Sequence, residues 1–143
     1  MKEKFMNEAI KEAEKAIKLN EIPVGVVIVL NNKIIARGYN QKEISQNSLM
    51  HAEIIAINKA CKKLKSWRLN DCKMYVTLEP CNMCMGAIVE SRISKIYYGI
   101  DNLKSHKLNM KIIGNNNIDM EGGILEKECK TLLDDFFKNM RGK

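Results

Sequence analysis

Three short runs, VGVVIVL (24–30), KMYVTL (73–78) and KIYYGI (95–100), are apolar along most of their length and rich in β-branched or aromatic residues. A strand with one wet face alternates polar and apolar residues, so runs of this kind are strands covered on both faces. Helical patterns separate them. Phe5, Ile10, Ala13 and Ile17 fall near helical spacing, which predicts a helix over about 3–19. Ile54, Ile57, Cys61 and Leu64 do the same for a helix over about 51–65, and Pro80 starts another over about 81–91. Asn31-Asn32 makes a tight turn that returns KIIARGYN (33–40) as a hairpin partner, and a polar loop spans 41–50. In the polar stretch 101–117 a short helix is expected near 103–111, and a short strand within 118–124. Ile124, Cys129, Leu132, Leu133 and Phe136 predict a closing helix to about Met140. Strands alternating with helices specify an α/β fold, a three-layer α/β/α sandwich around a central mixed sheet.

No linker and no internal repeat divides the 143 residues, so one domain over 1–143 is expected, long enough to bury roughly two-thirds of its unfolded surface. With 45% hydrophobic and 29% charged residues the composition excludes disorder, and no apolar run approaches the roughly 18 residues of a membrane span. The N-terminal segment is a charged amphipathic helix without the apolar core of a signal peptide, so a cytoplasmic location with reduced thiols is expected. Five cysteines in such a chain then argue for metal binding, catalysis or burial rather than a disulfide framework. The formal charge of +7 suits a polyanion such as a nucleic acid, and suits a solvated lysine-rich surface equally well.

Chemistry concentrates in two short strings, HAE (51–53) and PCNMC (80–84), each opening a helix. Cys81 and Cys84, three apart in a first helical turn, put both sulfurs within reach of one ion. His51, 30 positions before Cys81, completes a set of one imidazole and two thiols. Structural zinc sites close with four protein ligands, whereas catalytic ones keep three and leave the fourth position to water. Positions i and i+2 of a regular helix lie about 200° apart, so His51 and Glu53 can face one site only if His51 stands at the helix start. Glu53 would then sit beside the metal-bound water, whose pKa zinc lowers to about 7, and move its proton.

Each string alone has a plainer reading. A Cys-x-x-Cys is more often a redox pair or half of a zinc ribbon, and a His-Ala-Glu only a helix start. A ribbon needs a second pair, and Cys61, Cys72 and Cys129 offer no such spacing. Cys61 and Cys129 fall on apolar helical faces, Cys72 precedes a strand, and His106 in its polar segment reads as surface rather than ligand.

H-A-E followed by P-C-x-x-C resembles the signature of the zinc-dependent deaminases. EIPVGVVIV, NNKIIARGYN, HAEIIAI, LNDCKMYVTLEPCNMCMGAIVESRISKIYYG and GGILEKECKTLLDDFF resemble, in order and over nearly the whole chain, the bacterial tRNA adenosine deaminases. That resemblance implies a cytidine-deaminase-like fold, a homodimer, and hydrolytic conversion of adenosine to inosine at the first (wobble) anticodon position of a tRNA. It implies one zinc ion per subunit on His51, Cys81 and Cys84, with Glu53 as the catalytic proton shuttle. Asn40 would hydrogen-bond the flipped base, and Pro23, Val24 and Gly25 would wall the pocket. Lys104 and Ser105 match a pair in the RNA-facing loop; Phe136, Phe137 and Lys138 match a helix flanking the anticodon loop. For the two phenylalanines core packing is an equally open reading, with at least one of them buried.

The chain departs from the family pattern in two places. Leu49-Met50 stands where Thr-Ala is common, and the segment 101–117 is several residues short, with His106 where a glycine is common. These departures leave open a second function, deamination of a free base or nucleoside of the guanine or cytosine type. A third, a non-catalytic RNA-binding protein with structural zinc, has no use for Glu53.

Overall fold

Val26, Ile28, Met74, Val76, Ile96 and Tyr98 pack into one apolar cluster, and Val27, Val29, Tyr75 and Tyr97 into another. Even positions face one way and odd positions the other, as the two-residue period of a strand requires. The computed structural model describes residues 1–142. In chain order it contains α1 (Lys2–Lys18), β1 (Gly25–Leu30), β2 (Lys33–Tyr39), α2 (Lys42–Ser45), α3 (Ala52–Leu64) and β3 (Lys73–Leu78). There follow α4 (Asn82–Glu90), β4 (Lys95–Ile100), α5 (His106–Asn116), β5 (Asp119–Glu121) and α6 (Glu126–Arg141).

The five strands form one mixed sheet in the order β2-β1-β3-β4-β5. β1 is antiparallel to both β2 and β3, while β3, β4 and β5 run parallel. Helices α3, α4 and α5 supply Ala56, Ile88 and Ile113 to the first cluster, and α1 and α6 supply Phe5, Met6 and Cys129 to the second. This is the expected α/β/α sandwich. Parallel neighbours β3 and β4 place both of their C-terminal ends, and the α3 and α4 starts, at one edge of the sheet. Ligands of open α/β sheets bind at such an edge.

Asn31 and Asn32 both take positive φ, 51° and 62°, which gives the hairpin a turn matched to strand twist. Gly25 and Gly38 serve a different need, close approach of a helix. A Cβ on Gly25 would collide with the Ala9 carbonyl and Ala13 amide of α1, and one on Gly38 would stand 2.6 Å from the Ala52 carbonyl of α3. Backbone cannot retreat as a side chain can, so Gly25→Ala should destabilise by about 1–3 kcal/mol or more, read as a fall in the thermal midpoint. An unchanged midpoint would show that α1 is free to shift.

Two segments differ from expectation. The loop 41–50 contains the single-turn helix α2, and the helix expected near 103–111 begins at His106 and runs to Asn116. Side-chain hydrogen bonds from distant residues produce both differences, as described below. Among the described residues no helix is long and apolar enough to cross a membrane.

Candidate active site and metal centre

His51 and Cys81 are the N-cap residues of α3 and α4, with extended backbone at ψ 155° and 169°. Each stands just outside its helix, and neither side chain caps it. The imidazole and thiol are therefore free to turn toward each other. His51 Nδ1 lies 3.6 Å from Cys81 Sγ and 3.5 Å from Cys84 Sγ, and all three atoms fall within 4.8 Å of one another. For a tetrahedral zinc with Zn–S of about 2.3 Å and Zn–N of about 2.0–2.1 Å, the S···N edge is about 3.6 Å. The donor set fits the metal in type, number and spacing, and three protein donors leave one corner of the tetrahedron open.

The electrostatics favour one anionic sulfur, that of Cys81. The Cys84 thiol donates to Cys81 and His51 stands beside it, which holds Cys81 down at about 4 despite partial burial. The same bond and burial push Cys84 strongly upward, and the Cys81 thiolate raises His51. Uncapped N-termini of two helices add partial positive charge at this point. A divalent cation would take the place of the protons these three groups share.

Glu53, in the first turn of α3, is 3% exposed and within hydrogen-bonding reach of Cys84. Burial raises its carboxyl to about 7. Its side chain opens into a cavity of about 360 Å³ that His51 and Cys81 also line. An acid/base group poised near neutrality, a metal-competent cluster and a small cleft thus meet at one point.

A family model of MafB19-like deaminases matches residues 1–141. The tRNA-specific adenosine deaminase of Bacillus subtilis (strain 168) is 44% identical over 147 residues, spanning 99% of this chain and 91% of the relative. That of Rickettsia typhi is 43% identical, spanning 95% and 97%. The chain belongs to the tRNA-specific adenosine deaminases. A solved structure from a study of A-to-I editing by tRNA:A34 deaminases at the wobble position of transfer RNA superposes with a TM-score of 0.83. It is 35% identical and covers 90% of this chain and 98% of its own. A guanine deaminase from Bacillus subtilis superposes less completely, with TM-score 0.67 at 37% identity over 74% of this chain and 68% of its own.

The deaminase places the remaining predicted residues unevenly. Val24, Asn40 and Lys104 line the cleft. Asn40 is held there by two bonds, Nδ2 donating to the Ile22 carbonyl (3.3 Å) and Oδ1 accepting from the Lys42 amide (3.2 Å). Pro23 and Gly25 are buried and do not line it; Gly25 instead admits α1. Ser105 corrects the expectation of an RNA-facing residue. It is 5% exposed, occupies the N-cap of α5, and its carbonyl accepts from Asn82 Nδ2 at 3.1 Å. Phe136 is buried and packs edge-on against the half-exposed Phe137, with the exposed Lys138 beyond it. This end of α6 borders a shallow cleft with Ile17 and Asn20, beside the turn that runs into Ile22 and Val24. Leu49 is exposed and Met50 half-buried.

Sequence reasoning missed two buried carboxylates that shape the mouth of the deaminase's cleft. Glu21 accepts the backbone N–H groups of Glu43 (3.0 Å) and Ile44 (2.6 Å), which builds α2 and places Lys42 on one lip. Glu79 accepts from Asn102, His106 and Asn109 and does the same for the opposite lip. His106 is thus half-exposed but bonded rather than a free surface residue, and the carboxylate raises its pKa. Glu79, Asp101 and His106 offer metal-type donors close together, yet each oxygen of Glu79 already accepts a hydrogen bond. That cluster is a satisfied network. The available signal was an acid beside a mostly apolar run, EIPVG and VTLEP.

Proposed function

We propose that this protein hydrolyses adenosine to inosine at the first, wobble, position of a tRNA anticodon. The reading is carried by Glu53, buried beside the His51–Cys81–Cys84 cluster and opening into a cleft small enough to take one base rather than a duplex. Relatives named tRNA-specific adenosine deaminases, matched over nearly the full length, supply the substrate class. His51, Cys81 and Cys84 hold one zinc ion in each subunit of a homodimer. The enzyme works in the cytoplasm, on a soluble RNA.

Zinc, when bound, supplies a water molecule that ionises near neutral pH. Glu53 would take one proton from the water that adds to C6 of adenine and pass it to the amino group, which leaves as ammonia, while the water's second proton ends on N1. The bond formed is C6–O and the bond broken is C6–N, with no redox change. A carboxyl held near neutrality suits a group that must both take and return a proton. Asn40, oriented by its own two bonds, presents its amide edge to the base. Anticodon-loop bases are already unpaired, so splaying one out is inexpensive. Lys42, Lys104 and Lys138 meet phosphates around it.

The guanine deaminase of Bacillus subtilis, similar over three-quarters of this chain, favours a second reading, deamination of a free base or nucleoside. An anticodon stem-loop with adenosine at the wobble position should yield inosine, whereas free guanine, cytosine and their nucleosides should be inert over the same time. Turnover of a free base with none in the RNA would overturn the tRNA reading. Affinity for the stem-loop should also fall steeply with salt.

A further inference from the structure

One lip of the cleft is the segment 101–105, which joins β4 to α5 without regular secondary structure and brings Asn102 and Lys104 into the lining. Ser105 at the N-cap of α5 makes no side-chain capping bond, and the Ser105 and His106 amides turn back to the Asn102 carbonyl at 2.9 Å. The anchor comes from Glu79, whose side chain is completely buried. Glu79 Oε1 accepts the Asn102 amide at 3.1 Å and His106 Nδ1 at 2.8 Å, and Oε2 accepts Asn109 Nδ2 at 2.9 Å. At this contact the form of His106 that carries its proton on Nδ1 is the one that can donate to Glu79. Asn109 Nδ2 also reaches the Pro80 carbonyl at 2.7 Å, and Asn82 bridges Asn109 and the Ser105 carbonyl at 2.9 and 3.1 Å. The lip is therefore tied at both ends to 79–82, the stretch that carries Cys81.

We propose that His106 is a positioning residue for RNA binding: its bond to Glu79 fixes the first turn of α5 and so holds Lys104 where it meets a phosphate beside the target nucleotide. This role rests on the reading that the substrate is an RNA loop. His106 does not line the cleft, whereas its partner Glu79 and the lip residues Asn102 and Lys104 do. An unanchored lip would have to be ordered at every binding event, at the expense of affinity. Removal of His106 leaves Glu79 two donors, Asn102 and Asn109, so the carboxylate stays satisfied and the fold survives. The effect belongs in substrate binding.

The test uses the zinc-loaded full chain and the anticodon stem-loop described above. His106→Ala should raise KM about three- to tenfold, with the loss in KM exceeding any loss in kcat. His106→Asn, whose amide can place a donor where Nδ1–H stood, should recover most of that loss. Lys104→Ala should raise KM on its own and flatten its dependence on salt, and His106→Ala should flatten it in the same sense. Because one residue acts through the other, the double variant should be little worse than Lys104→Ala alone. Inosine formation with an unchanged KM in His106→Ala, an additive double variant, or no recovery in His106→Asn each overturns this role alone. Absence of inosine with the unsubstituted protein overturns the substrate reading and this role with it.

Discussion

Glu53→Gln should lower kcat by about two to four orders of magnitude, the usual contribution of a positioned general acid–base group. The amide keeps the volume and polarity of the side chain but can neither take a proton from water nor return one to the amino group. Metal content should stay at one equivalent, because His51, Cys81 and Cys84 are untouched. The thermal midpoint should not fall. Burial holds the Glu53 carboxyl near 7, so its ionised form burdens the fold at neutral pH and the neutral amide removes that burden. A variant that keeps more than a tenth of the original kcat would remove Glu53 from the proton path. One that loses activity together with metal would reassign it to the ligand set.

The fold was legible where the forces are local. The runs 73–78 and 95–100 are strands over those same residues, because continuous apolar β-branched and aromatic sequence has few other ways to be buried. The turn at Asn31-Asn32 was equally plain. So was the displacement of His51 from its helix, since helical geometry forbids His51 and Glu53 from sharing a face otherwise. Legibility ended where a segment takes its shape from one distant polar group. Nothing in 41–50 indicates α2, because its first amides are satisfied by Glu21, and nothing in 101–117 marks His106 as the start of α5, because its partner is Glu79. The family resemblance put Ser105 in an RNA-facing loop, whereas the stretch drawn in by Glu79 leaves it 5% exposed. The mouth of the cleft is thus the part of the site that sequence reads least well.

Removing the metal with a chelator should reduce activity to below about one per cent and lower the thermal midpoint, and zinc should restore both. The reason lies in where the donors stand. His51 and Cys81 are N-caps that cap nothing, and Cys84 is fully buried, so three polar groups converge at two helix starts at a spacing that one cation would bridge. Zinc at a thousandfold excess over its dissociation constant would stabilise the native chain by about 4 kcal/mol. For a domain of this size that is a shift on the order of 10 °C. Cys84→Ala should reproduce the loss of metal, activity and midpoint together, and added zinc should not rescue it. Full turnover in a preparation with less than a tenth of an equivalent of metal would sink the metal-dependent mechanism. The pair of substitutions then separates the two halves of the site. Glu53→Gln should lose the reaction and keep the metal and the midpoint, while Cys84→Ala should lose all three, as expected of a proton carrier and of a metal ligand that would join two helices.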